Sequence, residues 1–181
     1  MRRVLPALLV LAALAALAAC GGGASDERAG PAASGSDALP STSAELVTPS
    51  GFETVLVRAV LPDGTVCESC MWLAESEAER ARGLMGVTGL GEHDGMVFRY
   101  DDEGHRSFWM KNTLVPLSIA FSDDEGRVID AADMTPCLAD PCPSYGAAEP
   151  FQVAIEVAQG RLAELGLTVG AVVSLGGPCP S

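Results

Sequence analysis

The residues best suited to binding a ligand lie in one short stretch of the chain. Trp109, Lys111 and Asn112 follow one another closely, and Lys111 is the only lysine in the 181 residues. An ammonium group beside an indole ring and a carboxamide can hold a carboxylate or the hydroxyl groups of a sugar. Together with Arg82 and Tyr145, these residues form the ligand-binding face that the sequence predicts.

A structural role for the same stretch is also open. In a strand, Trp109, Lys111 and Thr113 would share one face. Lys111 would then be a surface charge lying over the Trp109 ring, while Asn112 and Thr113 would bond the turn before Pro116. On this interpretation, packing and turn formation explain why these residues occur here, and no ligand is required.

Five cysteines follow residue 50, and disulfides are expected if the protein lies in an oxidising compartment. Cys67 and Cys70 have the spacing of a redox pair, but a strand would place their Cα atoms about 10 Å apart, beyond the roughly 7 Å that a disulfide spans. We expect structural bridges instead, from Cys137 to Cys142 and from Cys67 or Cys70 to a neighbour. Because five is odd, at least one cysteine would be free or bonded between chains. The disulfide candidates are Cys67, Cys70, Cys137, Cys142 and Cys179.

Thioether and imidazole side chains offer a second chemistry, since such ligands suit copper outside the cytoplasm. The methionines of apolar strands more often fill core space, and the histidines lack the spacing of a metal motif. The residues concerned are Met71, Met85, Met96, Met110, Met134, His93 and His105. No Gly-x-Ser-x-Gly motif occurs, and paired carboxylates cluster only in turns. We therefore predict no catalytic residue, no metal and no cofactor, and we favour a protein that is not an enzyme.

The N-terminal residues 1–19 have the layout of a secretory signal, in which two arginines precede an apolar run. The run ends in Leu17-Ala18-Ala19-Cys20, which resembles the bacterial lipobox and implies cleavage before Cys20 and a lipid on its thiol. An uncleaved anchor helix is the alternative. Residues 20–50 would be a disordered tether rich in Gly, Ala, Ser and Pro, and residues 51–181 a single domain. We expect an extracytoplasmic protein anchored to the bacterial membrane through Cys20.

The mature chain is strongly acidic. The 11 basic residues include Arg2 and Arg3 of the signal, so nine remain against 24 acidic ones, a net charge near −15. Such a surface repels nucleic acid and anionic lipid head groups. The sequence therefore predicts no nucleic-acid partner, and a small molecule or an envelope protein is the expected one.

Alternating apolar residues and frequent turn signals predict a mostly β domain, a small antiparallel barrel-like sheet with two short helices. The tetrad Asp-Asp-Glu-Gly occurs at residues 101–104 and 123–126, which predicts two hairpins. Ser76 and Glu79 form a capping box for the first helix, and residues 158–165 predict the second. The predicted strands cover residues 52–60, 65–74, 96–100, 105–113, 117–122, 127–134, 151–157 and 172–175.

Longer motifs add a family resemblance. They are Arg82-Gly83-Leu84-Met85, Gly95-Met96-Val97-Phe98, Phe108 to Thr113, Pro116-Leu117, and Ile155 to Gly160. Over residues 73–175 the chain resembles the domain-of-unknown-function 192 family, also called uncharacterised protein family 0127. At Ser118 the family usually has Asp, so a site using that carboxylate would be weakened here. The resemblance implies a fold but no activity. The sequence thus predicts a lipid-anchored envelope module that binds an unknown ligand, with a copper or thiol-redox protein as the alternative.

Overall fold

The computed structural model describes residues 46–180, which form a mostly β domain. Seven strands build one sheet in the order β6-β5-β8-β3-β2-β1-β9. They are β1 (Glu53–Val60), β2 (Val66–Ala74), β3 (Gly95–Gly104), β5 (Leu117–Ser122), β6 (Val128–Met134), β8 (Phe151–Ala158) and β9 (Val172–Leu175). Two further short strands, β4 (Phe108–Trp109) and β7 (Ser144–Tyr145), pair with each other outside this sheet.

The prediction of a small antiparallel barrel-like sheet is wrong in two respects. Strands β2 and β3 run parallel, with Met71 opposite Gly95 and Ala74 opposite Phe98, because the chain crosses over through a helix and a loop instead of a hairpin. The edge strands β6 and β9 do not form a ladder that closes a barrel. They approach each other at one end, where Arg127 and Val172 form an isolated bridge.

The second Asp-Asp-Glu-Gly tetrad turns the chain as predicted. Between β5 and β6, the Gly126 N–H donates to the carbonyl oxygen of Asp123 at 3.1 Å. Gly126 has a φ of 78°, which a residue with a side chain rarely adopts. The Asp123 carboxylate also accepts a hydrogen bond from the N–H of Arg127 at 2.7 Å, which fixes the turn.

The hairpin predicted at the first tetrad is wrong. Residues 101–104 continue β3, which pairs with β8 as far as Gly104 opposite Phe151, past an irregularity that follows Arg99. Gly104 does not have a positive φ, so the local geometry of a tight turn is not used there. The predicted partner strand, residues 105–113, is reduced to β4.

Within residues 46–180 there is one α-helix, α1 (Glu77–Arg82), where two helices were predicted. Residues 159–165 form successive turns instead of the second helix. The reason is Gly160, whose φ of 85° lies outside the helical region. In the described part of the chain, no helix is long and apolar enough to cross a membrane.

Two clusters of buried side chains lie on opposite faces of the sheet, as the alternation of neighbouring residues along β3, β5 and β8 requires. The strand core takes side chains from all seven strands and includes Val57, Met71, Val97, Ile155 and Leu167. The loop-side core is covered by loops and short elements and includes Met96, Phe98, Met110, Phe121, Met134 and Phe151. Four of the methionines considered as metal ligands, Met71, Met96, Met110 and Met134, are fully buried in these cores, where they fill space.

Candidate functional site

A surface cleft of about 400 Å³ opens beside the loop-side core. One side is formed by α1 and the residues that follow it, and the other by the segment around β4. Strands β3 and β8 form the base, through Phe98 and Glu156. The cleft combines aromatic rings, arginine side chains and a carboxyl group, and it is the best candidate for a binding site in residues 46–180.

Local sequence signals place the first side of the cleft. The Ser76 hydroxyl caps α1 by accepting from the N–H of Glu79, and the Glu79 carboxylate accepts from the N–H of Ser76. The helix ends at Gly83, whose φ is 46°. A Cβ atom at this position would lie only 3.2 Å from the Phe98 ring, so glycine lets α1 end directly against the base of the cleft.

The second side is held by aromatic packing. The Phe108 ring stands edge-on to the Phe98 ring, with centroids 5.0 Å apart, and it also lies 6.0 Å from the Phe121 ring. Trp109, the next residue, points outward, and 53 % of its surface is exposed. Phe108 thus fixes β4 to the core while Trp109 is free to contact a ligand at the rim.

Glu156 is the buried ionisable residue of the site. It lies in the middle of β8, between Met96 on β3 and Ile119 on β5, and it is 5 % exposed. Burial among these apolar neighbours raises the pKa of the Glu156 carboxyl to about 8. Its carboxyl group makes no hydrogen bond to another residue of the described chain. At neutral pH it is therefore mostly protonated and can donate a hydrogen bond into the cleft.

Two arginines line the cleft in different ways. The Arg80 guanidinium donates to the carbonyl oxygens of Glu75 and Arg99 and lies over the Tyr100 ring, so its position is fixed. The Arg82 guanidinium lies 4.0 Å from the centre of the Phe52 ring. Within residues 46–180 Arg82 forms no ion pair with a carboxylate, so its donors can meet a ligand.

Arg82 and Trp109 are therefore the two predicted site residues that the cleft brings together. Lys111 does not line it. The Lys111 ammonium lies 2.6 Å from the Asp140 carboxylate and 5.4 Å from the centre of the Trp109 ring. These contacts agree with the structural alternative, in which Lys111 is a surface charge lying over the Trp109 ring. Lys111 is therefore connected to the cleft only by its contact with Trp109.

Asn112 and Tyr145 also lie outside the cleft and hold loops together. Asn112 has a φ of 55°, which ends the alternation expected along residues 105–113 and turns Thr113 into the protein. Its backbone bonds both Gly86 and Cys137. The Tyr145 hydroxyl accepts a hydrogen bond from the N–H of Thr135 at 3.2 Å.

The cysteines of residues 46–180 include no free thiol. Cys137 and Cys142 are bonded across the proline-rich loop, with Cα atoms 5.8 Å apart, as the sequence predicted. Cys70 is bonded to Cys179, with Cα atoms 5.7 Å apart. Cys67 is buried in the strand core, on the face of β2 opposite Cys70, so these two cysteines do not bond each other.

The profile of DUF192, a family described as an uncharacterized ACR, matches residues 60–175. This chain belongs to the DUF192 family. The resemblance drawn from the sequence motifs is thereby confirmed, and the match covers every strand of the main sheet except β1, of which it includes only the last residue, Val60.

Two solved structures share the fold of this DUF192 chain. A protein of unknown function from Novosphingobium aromaticivorans DSM 12444 is 31 % identical, with a TM-score of 0.61 over 77 % of this chain and 99 % of that chain. A candidate transcription regulator from Sinorhizobium meliloti 1021 is 23 % identical, with a TM-score of 0.63 over 70 % of this chain and 97 % of that chain. No curated protein matches the chain.

Glu156 was not predicted as a site residue, although it lies inside the motif from Ile155 to Gly160 that contributed to the family resemblance. The available signal was a single acid in the otherwise apolar run Val153 to Val157. An acid within a strand that is buried on both faces needs a reason, because burial of a carboxyl group is costly.

Ser118, where the family resemblance led us to expect Asp, forms a polar contact outside the cleft. It is fully buried, its hydroxyl donates to the Asp133 carboxylate, and it accepts from the N–H of Gly160 at 2.9 Å. A carboxylate is thus still present, supplied by the strand opposite. Ser118 and Ile119 are neighbours on β5, so Ser118 and Glu156 lie on opposite faces of the sheet.

Proposed function

We propose that this DUF192 protein is an extracytoplasmic, lipid-anchored module that binds a small ligand in the cleft beside α1. The observation that carries the proposal is Glu156, a buried carboxyl without a hydrogen-bond partner in the described chain, at the base of an open cleft. An unpaired polar group in an apolar surrounding costs stability, and a ligand that bonds it would remove this cost. Such groups are more frequent at functional sites than elsewhere.

The cleft offers contacts that favour a small organic anion with a planar or apolar body. Arg82 can pair with a carboxylate through two parallel hydrogen bonds. Phe98, Phe108 and Trp109 present ring surfaces to the body of the ligand. The protonated Glu156 carboxyl, which lines the same cleft as Arg82, would donate to the same carboxylate of the ligand, since each carboxylate oxygen can accept more than one hydrogen bond.

Binding is favoured over catalysis because Glu156 has no partner to complete a catalytic pair. A general acid or base must act with a nucleophile or a second titrating group held within hydrogen-bond reach. No side chain of the described residues hydrogen-bonds the Glu156 carboxyl. One polar anchor in an aromatic cleft is typical of a binding site.

The anchor is the second part of the proposal. The signal-like residues 1–19 and the lipobox-like Leu17 to Cys20 lie outside the described residues, and they support a lipid on Cys20 with residues 20–50 as a tether. Replacing Cys20 by Ala should release the processed protein from the membrane fraction into the soluble fraction. A processed Cys20→Ala protein that still sediments with membranes would contradict the anchor but leave the cleft untested, so the two parts fail separately.

The cleft is tested by calorimetric titration of the purified domain with benzoate and with neutral benzamide. We expect benzoate to bind the wild type more tightly than benzamide. Arg82→Gln should lose about 1.5–3 kcal/mol of benzoate affinity, the range for a hydrogen bond to a charged group. Glu156→Leu should weaken benzoate binding by a similar amount, whereas Glu156→Gln, which can still donate, should retain most of the affinity.

The matched control is Glu149→Gln, which removes a carboxylate from an exposed loop position and should bind benzoate as the wild type does. Equal affinity for benzoate and benzamide would show that Arg82 does not pair with the carboxylate of the ligand. Undiminished binding by a folded Glu156→Leu variant would refute the proposed site.

A further inference from the structure

Three potential metal ligands meet on the side of β2 away from the strand core. Cys70 comes from β2, His93 from the loop before β3, and Cys179 from the segment after β9. The two sulfur atoms and a ring nitrogen of His93 all lie within 4.8 Å of one another. Residues 109 positions apart in the chain thus converge on one point next to an imidazole.

The imidazole is held in place yet has an unused ligand atom. The His93 ring lies against the Trp72 ring, with centroids 4.0 Å apart. Its Nδ1 atom is buried and has no hydrogen-bond partner among the described residues. Histidines that serve only in packing usually satisfy both ring nitrogens, so a buried ring nitrogen without a partner, on a histidine beside two sulfurs, points to a ligand.

The backbone around Cys70 and His93 is fixed independently of the disulfide. The N–H of Asp94 donates to the Cys70 carbonyl oxygen at 2.8 Å, and the Asp94 carboxylate accepts from the N–H of Cys70 at 3.3 Å. Arg161 pairs with the same carboxylate at 3.3 Å. His93, next to Asp94, would therefore stay close to Cys70 after the disulfide opens.

We propose that reduction of the Cys70–Cys179 disulfide creates a Cys₂His site for a thiolate-preferring d¹⁰ metal ion, Zn²⁺ or Cu⁺. A dithiol reductant supplies two electrons and two protons, which break the S–S bond and give two thiols, and the reductant ends as its own disulfide. Binding of the ion then displaces the two thiol protons to solvent and leaves two thiolates and a neutral imidazole as ligands. Two thiolates and one imidazole suit both ions, and Zn²⁺ would keep a fourth, open position for water.

The geometry allows this with a small movement. Two thiolates on one Zn²⁺, each at about 2.3 Å, lie about 3.8 Å apart, so the sulfurs must separate by roughly 2 Å. Cys70 is held within β2, whereas Cys179 follows β9 and its N–H is bonded to the Thr54 hydroxyl at 3.2 Å. Because Cys179 lies outside the strands of the sheet, we expect the segment around Cys179 to make most of the movement that separates the two sulfur atoms. This site does not depend on the cleft beside α1, which uses other residues.

The test is metal binding by the purified domain before and after reduction with a metal-free phosphine. Zn²⁺ and Cu⁺ are each titrated against a chromophoric chelator, in separate arms that decide which ion the site prefers. We expect no stoichiometric binding by the oxidised protein and one equivalent by the reduced protein. Co²⁺ should give a thiolate-to-metal absorption band only after reduction, and Trp72 fluorescence should change with the ion because His93 lies against its ring.

Variants assign the ligands. His93→Phe, which preserves stacking on Trp72, should lose at least about tenfold in affinity, because loss of even an outer partner of a metal ligand costs 10–100-fold. Cys70→Ser/Cys179→Ser should not bind at all. Cys137→Ser/Cys142→Ser removes the other described disulfide, and Glu156→Gln alters the separate cleft, so both should bind as the wild type does.

Three results would each overturn the proposal. One is the absence of stoichiometric Zn²⁺ or Cu⁺ binding by the reduced, folded protein. The second is undiminished affinity in His93→Phe. The third applies if reduction unfolds the protein, as followed by circular dichroism: a metal-bound folded state should then be restored by Zn²⁺ or Cu⁺, and failure of both ions to restore it would exclude the site.

Discussion

The strand core takes side chains from all seven strands of the sheet, whereas the loop-side core is covered by residues 84–90 and the segments around β4 and β7. Both contain apolar side chains in close contact. Only on the loop side does the described chain bury an ionisable group, Glu156. The strand core is built mainly from strand residues, with Leu165, Leu167 and Ala171 added from the segment between β8 and β9, while the loop side depends on short elements that also leave a cleft.

Because of this difference, we expect one face of the sheet to provide most of the stability and the other face to provide the binding cleft. Neighbouring residues of the same strand belong to the two faces: Ile155 packs in the strand core, and Glu156 opens to the cleft. A change to one residue should therefore leave the property of the other intact. The predictions below test this separation, in order of decreasing effect.

The largest effect is expected in the strand core. Ile155→Ala removes a side chain that is 1 % exposed, and the cavity left behind should lower the free energy of unfolding by about 2–5 kcal/mol. Urea unfolding at pH 7 measures it. The matched control is Val169→Ala, at a position that is 63 % exposed, which should change the free energy of unfolding by less than about 0.5 kcal/mol. Equal losses in the two variants would show that the strand core does not dominate stability.

On the loop side, Glu156→Gln should increase stability in a pH-dependent way. The folded-state pKa of the Glu156 carboxyl, about 8, lies above its ordinary value of 4.5, so the folded protein binds this proton more tightly than the unfolded chain. Wild-type stability is therefore unimpaired by Glu156 below pH 4.5 and falls as the pH rises toward 8. At pH 8 the Gln variant should be more stable by on the order of 4 kcal/mol.

The measurement is urea unfolding of both proteins at pH 4.5, 6, 7 and 8. The difference between them should be small at pH 4.5 and should grow with pH. Glu149→Gln, at an exposed position, should show no such growth. A Glu156→Gln variant whose stability runs parallel to the wild type across this range would mean that Glu156 is ionised in the folded protein.

The elements of the fold differ in how far the sequence could predict them. Strands, the capping box at Ser76 and the turn at Gly126 depend on residues a few positions apart, and all three were predicted. The parallel pairing of β2 with β3 and the disulfide from Cys70 to Cys179 join distant segments, and no local pattern specifies them. The first Asp-Asp-Glu-Gly tetrad failed as a prediction because pairing with β8 overrides its turn preference.

For the candidate site, too, the sequence could not predict contacts between residues that are far apart in the chain. Arg82 and Trp109 were chosen by residue type and do share the cleft. Lys111 was chosen because it is the only lysine, but its partner, Asp140, is 29 positions away and could not be inferred. Glu156 had a local signal, an acid in an apolar strand, but only the assembled sheet shows that it reaches a cleft.

A smaller effect is expected from the Cys137–Cys142 disulfide, which lies in the loop segments that cover the loop-side core. Cys137→Ser/Cys142→Ser opens a loop of five residues, and the chain-entropy relation gives a loss of about 2 kcal/mol. Urea unfolding without reductant measures it. Because the Cys137 N–H donates to the Met110 carbonyl oxygen and the Cys137 carbonyl oxygen accepts from the N–H of Asn112, hydrogen exchange near Asn112 should increase, while exchange in β1 should not. Increased exchange in β1 would show that the two faces are not independent.

The smallest effect is expected at the helix that borders the cleft. Ser76→Ala removes the hydroxyl that accepts from the N–H of Glu79, and loss of a cap of this kind costs about 1 kcal/mol. Because α1 has six residues and carries Arg82, the same change should weaken benzoate binding through misplacement of Arg82, without changing the pH dependence that Glu156 causes. Ser50→Ala, at an exposed position outside any strand or helix, is the control and should change neither stability nor affinity. A Ser76→Ala variant that loses stability but binds benzoate with wild-type affinity would show that α1 contributes to stability and not to the recognition of the ligand.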